Sequence, residues 1–213
     1  MNFDLIVATD ENNGIGLHKN DQFKLPWHNK DDLLFFKKIN SNDDELKAII
    51  MGKNTFASLN YKPLPNRFNI VISSTLSHPE SKFLKIFTNL DNALLLCKKL
   101  NLKPFVIGGS QLYKDALNNS NLNKIYWNII HETSNDSNIY FPINLNNLND
   151  KFYILKSNKI NNVTYNQLLN KFKNNDENEY LTLLEKIYFF GDERITRNSI
   201  TKSIFGETLQ FDL

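Results

Sequence analysis

The segment LPWHNKDDLLFFKK, residues 25–38, holds an acid in an unexpected place. With a helix beginning after Asn29, the i, i+3, i+4, i+7 rule puts Asp32 on one stripe with Phe35, Phe36 and Ile39. Two chemistries fit. Asp31 and Asp32 can occupy a first turn under an Asn29 cap, where carboxylates interact favourably with the helix dipole. Alternatively, Asp32 faces inward as a partly desolvated acid whose pKa rises toward the range useful for proton handling.

Three strand-to-helix or turn-to-strand junctions offer further chemistry. IIMGKNTF, residues 49–56, runs from an apolar strand into Gly52, Lys53, Asn54 and Thr55, a helix start suited to a phosphate and joined by a cation. An ordinary glycine turn explains the same residues. The upstream glycine of GxxxxGK[ST] is missing and Asn54 stands where Ser or Thr would hold magnesium, which excludes a Walker-type hydrolase. VIGGSQLY, residues 106–113, puts paired glycines directly before the helix pattern Ser110–Asn118, so a ligand can approach the backbone closely. In PLPNRFNIVISS, residues 63–74, Arg67 lies between a proline-shaped turn and a strand, a rigid base for pairing with a carboxylate. Ser73 and Ser74 at the end of that strand either meet phosphate or cap the next turn. NGIG at 13–16 is a glycine-bearing loop, equally a plain turn or a cofactor lid.

Other chemistries are poorly served. His18, His28, His78 and His131 form no i, i+4 pair and have no cysteine neighbour, which argues against a metal site. Cys97, the single cysteine, sits within the apolar helix pattern NALLLCKKL, and no GxSxG elbow occurs.

The elements that must position these residues alternate. FDLIVAT, KAIIM, RFNIVISS, KPFVIGG and KIYWNII read as strands, and DDLLFFKKI, NLDNALLLCKKL and SQLYKDALN as helices. This order predicts an α/β fold with a mostly parallel sheet flanked by helices. Residues 152–155 and 163–172 read as later strands, an antiparallel hairpin at the sheet edge. NNDEN at 174–178 reads as a linker, and EYLTLLEKIYFF at 179–190 as an amphipathic helix opening a tail to residue 213.

Length and composition bound the rest. The 213 residues, 41% hydrophobic with 16 Phe, suit one ordinary domain with an appendage. A net charge of +2 leaves no broad footprint for nucleic acid or membrane. One cysteine, no leader-like start and no apolar run of membrane-spanning length predict a soluble, cytoplasmic protein.

IVATDENNGIG, LPWHNKDDLLFFK, IIMGKNTF, PLPNRFNIVISS and VIGGSQLY, in that order, resemble dihydrofolate reductase over residues 3–172. The resemblance implies an eight-stranded, mostly parallel sheet and the reduction of 7,8-dihydrofolate by NADPH. It implies Asp32 as the active-site acid on the pterin, Trp27 as the holder of an ordered water, and Leu33 and Phe36 against the pterin and benzoyl rings. Arg67 would pair with the substrate's glutamate α-carboxylate. Ile6, Val7 and Ala8 would line the pterin pocket, and Ile107 and Tyr113 would meet the nicotinamide end.

For the cofactor, the resemblance implies Lys53, Asn54 and Ser74 around the 2′-phosphate. Thr55 and the Gly108–Gly109 pair would serve the pyrophosphate, Ile15, Gly16 and Leu25 would fall in the loop that closes over the nicotinamide, and Ala8, Gly52, Ser73, Ser110, Gln111 and Leu112 would complete the cofactor-binding set. Asn128 departs from the family's usual threonine, which bonds both acid and pterin. Gln111 departs from a basic residue seen in some members.

The tail, residues 179–213, resembles the start of thymidylate synthase, with Arg197 at a phosphate-binding arginine. The synthase's nucleophilic cysteine and substrate-binding body are absent, so no synthase activity is expected. The segment is expected to be a truncated fusion, a vestige or a docking segment. A reductase-like binding module without turnover, and a related pterin or pyrimidine reductase, remain the alternatives.

Overall fold

The computed structural model describes residues 1–41, 46–131, 136–144, 148, 151–171 and 187, and the backbone of Asp192–Ile195 and Ile200–Ser203. The chain runs β1 (Phe3–Asp10), β2 (Gly14–Lys19), β3 (Gln22–Lys24), α1 (Lys30–Asn40), β4 (Lys47–Gly52), α2 (Lys53–Ser58), β5 (Phe68–Ile72), β6 (Leu84–Phe87) and α3 (Leu90–Lys99). It continues with β7 (Lys103–Val106), α4 (Ser110–Asn118), β8 (Leu122–Ile130), β9 (Ile139–Tyr140), β10 (Phe152–Ile160), β11 (Val163–Asn170), β12 (Asp192–Ile195) and β13 (Ile200–Ser203).

An eight-stranded sheet in the order β10-β11-β8-β1-β7-β4-β5-β6 is the frame. Its pairings are parallel except where β11 meets β8 and β10, so the expected α/β sheet with an antiparallel edge is what forms. β1 is apolar nearly throughout because both of its faces are covered. Leu5 and Val7 enter a core built with α3 and α4, through residues such as Leu94, Cys97, Leu112 and Ala116. Ile6 turns to the opposite core, with Ile49, Met51 and Phe56 and with Phe36 and Ile39 of α1. The helices therefore lie on both sides, and the two-residue alternation of β1 decides which side chain each receives.

The stripe anticipated on α1 is present. Asp32 and Asn40 are buried and Phe35, Phe36 and Ile39 half-buried, while the intervening positions face solvent. Asn29 is the cap, its Oδ1 accepting from the Asp32 backbone N–H at 3.0 Å.

Several elements depart from the sequence expectation. NGIG was expected as a loop, yet Ile15 and Gly16 lie in β2, which pairs with β3 and with the two-residue β9. Such short strands carry too few residues for a periodic signal. β6 was not anticipated, and β10 continues to Ile160 rather than ending at 155 because residues 156–160, mostly exposed and without an apolar signal, pair along β11. In the tail, β12 and β13 form an antiparallel hairpin where no element was expected. The expected linker and most of the expected helix at 179–190 lie outside the described residues. Among the described residues no helix is long and apolar enough to cross a membrane.

Candidate active site

Asp32 of α1 meets the sheet at β8. It is 7% exposed, and its Oδ1 accepts a hydrogen bond from Asn128 Nδ2 at 2.7 Å, which reaches it from β8. Burial pushes its carboxyl above the usual range, and the Asn128 hydrogen bond acts in the opposite direction. Beside Asn128 in the sheet stands Ala8 of β1, and on the other side Tyr165 of β11. Trp27 packs against Ile130, Val163, Ala8 and Tyr165. Two buried polar atoms here have no hydrogen-bond partner among the described residues: Trp27 Nε1, a donor, and Asn128 Oδ1, an acceptor. An unpaired buried acceptor on the residue that holds the acid, and an unpaired donor among that residue's sheet neighbours, are groups that a polar ligand would satisfy.

Tyr113 fastens one helix to this corner. Its hydroxyl donates to the Ile6 carbonyl at 2.8 Å. Burial, and then the negative Asp32, push that hydroxyl's pKa well up, so it serves as a neutral donor. Ile107 follows β7 with its N–H on the Ile50 carbonyl at 2.9 Å. Phe36 lies in the core that contains Ile6, whereas Leu33, three residues earlier, is 43% exposed, and Val7, expected in the pterin pocket, turns to the opposite core with α3 and α4 because strand side chains alternate.

The two glycine junctions, far apart in sequence, meet. The Gly52 N–H donates to the Gly108 carbonyl at 2.6 Å, and a Cβ at Gly109 would lie 3.4 Å from Thr55 Oγ1. Gly108 has φ +117°, and a Cβ there would stand 3.2 Å from the Tyr113 ring, so only glycine suits it. The peptide bond between Gly108 and Gly109 is cis. Gly52 and Gly109 cap α2 and α4 without a side-chain hydrogen bond, leaving the first-turn N–H groups for a ligand. Next to them Lys53 Nζ lies 3.3 Å from Thr75 Oγ1, which brings the cation to the loop holding Ser73 and the exposed Ser74. Ser73 Oγ caps its own turn, accepting from the Thr75 and Leu76 N–H groups at 3.1 and 3.0 Å. Asn54 is exposed. Ser110 Oγ donates to the Tyr140 carbonyl at 2.9 Å, Gln111 Nε2 to Asp115 at 2.9 Å, and Leu112 is buried in the core.

Arg67 is more deeply engaged than a surface arginine. Its Nε donates to Asn40 Oδ1 at 2.6 Å, Nη1 to the Pro65 carbonyl at 3.0 Å and Nη2 to Ser41 Oγ at 3.0 Å. Each Nη keeps a further N–H, the fork geometry that suits a carboxylate.

Sequence reasoning missed the fastening of the β1–β2 segment. Asp10 accepts from the Asn12 and Gly14 N–H groups at 2.8 and 2.7 Å and from Ser137 Oγ at 2.5 Å. Asn138 holds His18 in both directions, accepting from its N–H and donating to its carbonyl, each at 2.8 Å. The Asp10 turn could have been read from an aspartate followed two residues on by asparagine. Asn138 carries no comparable signal. Leu25, just beyond β3, is 48% exposed.

Residues 2–177 match the family described as Dihydrofolate reductase. The bifunctional dihydrofolate reductase-thymidylate synthase of Paramecium tetraurelia is 32% identical over 225 residues, covering 99% of this chain and 46% of that protein. This chain thus spans about half the length of that relative. The dihydrofolate reductase of Bacillus subtilis is 45% identical over 112 residues, 52% of this chain and 59% of that one. The solved Schistosoma mansoni dihydrofolate reductase superposes with a TM-score of 0.61 at 32% identity, over 80% of this chain and 97% of that one. With the family match covering most of its length and a solved relative at 32% identity superposing on most of the chain, this chain belongs to the dihydrofolate reductase family.

Proposed function

We propose that this chain reduces 7,8-dihydrofolate to 5,6,7,8-tetrahydrofolate with NADPH, serving one-carbon metabolism and thymidylate synthesis. One observation carries the reading: Asp32 is buried on the apolar stripe of α1 and held by Asn128, whose Oδ1 is unsatisfied, while the unsatisfied Trp27 Nε1 belongs to the cluster with Ala8 and Tyr165, the residues flanking Asn128 in the sheet. In this reading Asp32 accepts from the amino and ring N–H groups of the pterin and favours the form protonated next to the carbon that is reduced. Trp27 holds a water at its orphaned N–H. Ile6, Ala8 and Phe36 exclude solvent around the rings, and Arg67 pairs with the glutamate α-carboxylate. Ile107 and Tyr113 form the floor toward the nicotinamide, with Tyr113 pinned to β1.

The residues at the glycine junctions fit the dinucleotide. Gly52, Thr55, Gly108, Gly109, Ser110, Gln111 and Leu112 would lie along its pyrophosphate, where a Cβ on Gly108 would crowd Tyr113. Lys53, Asn54, Ser73 and Ser74 would surround the 2′-phosphate, and a cation at Lys53 favours NADPH over NADH. Ile15, Gly16 and Leu25 would border the nicotinamide. When bound, NADPH supplies the hydride, and the protein's part is to position and to keep water out.

The test is the oxidation of NADPH with dihydrofolate by the wild type and Asp32→Asn. Comparable rates in the two proteins would sink the mechanism, and absence of turnover with folate-analogue binding would favour a binding module instead.

A second reading concerns residues 179–213. That the Paramecium bifunctional protein aligns with 99% of this chain favours reading them as the opening of a synthase segment behind a reductase domain at 1–173 and a linker at 174–178. The coding sequence following Leu213 decides it: an in-frame synthase body would support the fusion, and a stop codon would count against it.

A further inference from the structure

Where β1, β8 and β11 come together, a second group of reactive side chains stands apart from the pocket. Glu11 follows β1, His131 follows β8, and Thr164 is the second residue of β11. Glu11 Oε1 lies 2.6 Å from His131 Nδ1, and Thr164 Oγ1 lies 2.8 Å from Nε2. The His131 backbone N–H, donating to the Asn162 carbonyl at 2.8 Å, fixes the chain that carries the ring. A carboxylate only accepts, so Nδ1 carries a proton. In the neutral ring Nε2 is then bare, and the hydrogen bond it makes is one it accepts from the Thr164 hydroxyl. The order acid, imidazole, hydroxyl is that of an activated nucleophile, each partner orienting the next.

The surroundings suit a reaction at the surface. The side chains of His131 and Glu11 are 24% and 66% exposed and Thr164 is half-buried, so a small molecule can reach the hydroxyl. Strand alternation sets Thr164 on the face opposite Val163 and Tyr165, which pack with Trp27. Tyr165 pairs with Asn128, the partner of Asp32, so the group lies across the sheet from that acid. Lys159 of β10 is directly opposite Thr164 in the ladder, its side chain on the same face. Its ammonium is placed to reach a carbonyl oxygen that gains charge as the hydroxyl attacks.

We propose that Glu11, His131 and Thr164 form an acyl-transfer site, at which Thr164 takes the acyl group of a small activated ester or thioester. Thr164 Oγ1 bonds to the carbonyl carbon as its proton passes to His131 Nε2. The bond from that carbon to the leaving oxygen or sulfur breaks, and the leaving atom departs with the proton from Nε2. Glu11 orients the ring for both transfers and faces the charge it carries between them. The products are an ester of Thr164 and a free alcohol or thiol, with nothing oxidised or reduced. The site is independent of the reductase reading.

The probe is p-nitrophenyl acetate, offered to the full chain and followed by release of p-nitrophenolate and by peptide mass. The expected product is one acetyl group on Thr164, removed by hydroxylamine as an ester is and a lysine amide is not. It should form at least about tenfold faster than on the same chain unfolded in urea. Gln at position 131 can still donate and accept, so a mere clasp between strands would survive His131→Gln, whereas acetylation of Thr164 should slow at least about tenfold. Thr164→Val should lose the fast release of p-nitrophenolate. A fast release that persists there marks His131 itself as the nucleophile and overturns the assignment. Label confined to lysines, a native rate no faster than the unfolded one, or a smaller fall in folded His131→Gln also overturns it. Circular dichroism establishes folding, and if a variant does not fold, the label's position and the native-to-unfolded ratio of the wild type decide.

Discussion

Replacing Asp32 by asparagine should separate activity from stability. Removal of the acid is expected to lower kcat/KM for dihydrofolate by roughly 10²–10⁴-fold, measured by NADPH oxidation. Stability should move the other way. Because burial raises the folded-state pKa of Asp32, the native protein holds more protons than the unfolded chain between the two pKa values, and wild-type stability falls as pH climbs through that window. A side chain that cannot ionise escapes the loss. Thermal melts should therefore show Asp32→Asn gaining over the wild type at pH 7 and gaining less, or nothing, near pH 4. A gain that grew on acidification would contradict the assigned cause. Arg67→Lys tests the other end of the pocket. Lysine keeps the charge but loses the fork, so KM for dihydrofolate should rise on the order of tenfold with kcat little changed. The same residue ties Asn40 and Ser41 at the end of α1 to the turn at Pro65, so Arg67→Ala should also lower the melting temperature.

Among elements, the β1–β2 segment is the one whose geometry makes the sharpest demand. A Cβ at Gly14 would collide with Asp10 Oδ2 and with Ser137. Gly14→Ala should force these apart at a cost of about 1–3 kcal/mol. Faster amide exchange across residues 10–18, with α3 unchanged, is the expected readout. How far the elements were legible follows from their length. β1, β4, β5, β7 and β8 announce themselves as apolar runs covered on both faces, and α1 by a stripe that even placed Asp32 inward. β2, β3 and β9 are short, and β2 is held to β9 and Asn138 across more than a hundred residues, which no local pattern records. The site follows the same rule. The glycine junctions and Arg67 were visible as residue types in turns, but their meeting, Gly52 on Gly108 and Arg67 on Asn40, is a product of the parallel crossovers. Asn128 was visible only as a departure; its orphaned oxygen required the packed sheet.

For the whole molecule, the family match ends at residue 177 and the Schistosoma structure is covered almost completely by 80% of this chain. A chain ending there should reduce dihydrofolate within about twofold of the rate of residues 1–213, since core and site lie before it. Loss of activity would mean that the tail supports the reductase domain directly. The sheet order carries another consequence. β1 is made first yet ends at the centre, between β7 and β8. At a synthesis rate of about 5–20 residues per second, Phe3–Asp10 waits on the order of ten seconds before Leu122–Ile130 exists to pair with it. During that interval an apolar strand is open to chaperones and to neighbouring nascent chains on the same messenger. The yield of active protein, unlike its stability, should therefore depend on how quickly the ribosome reaches β8.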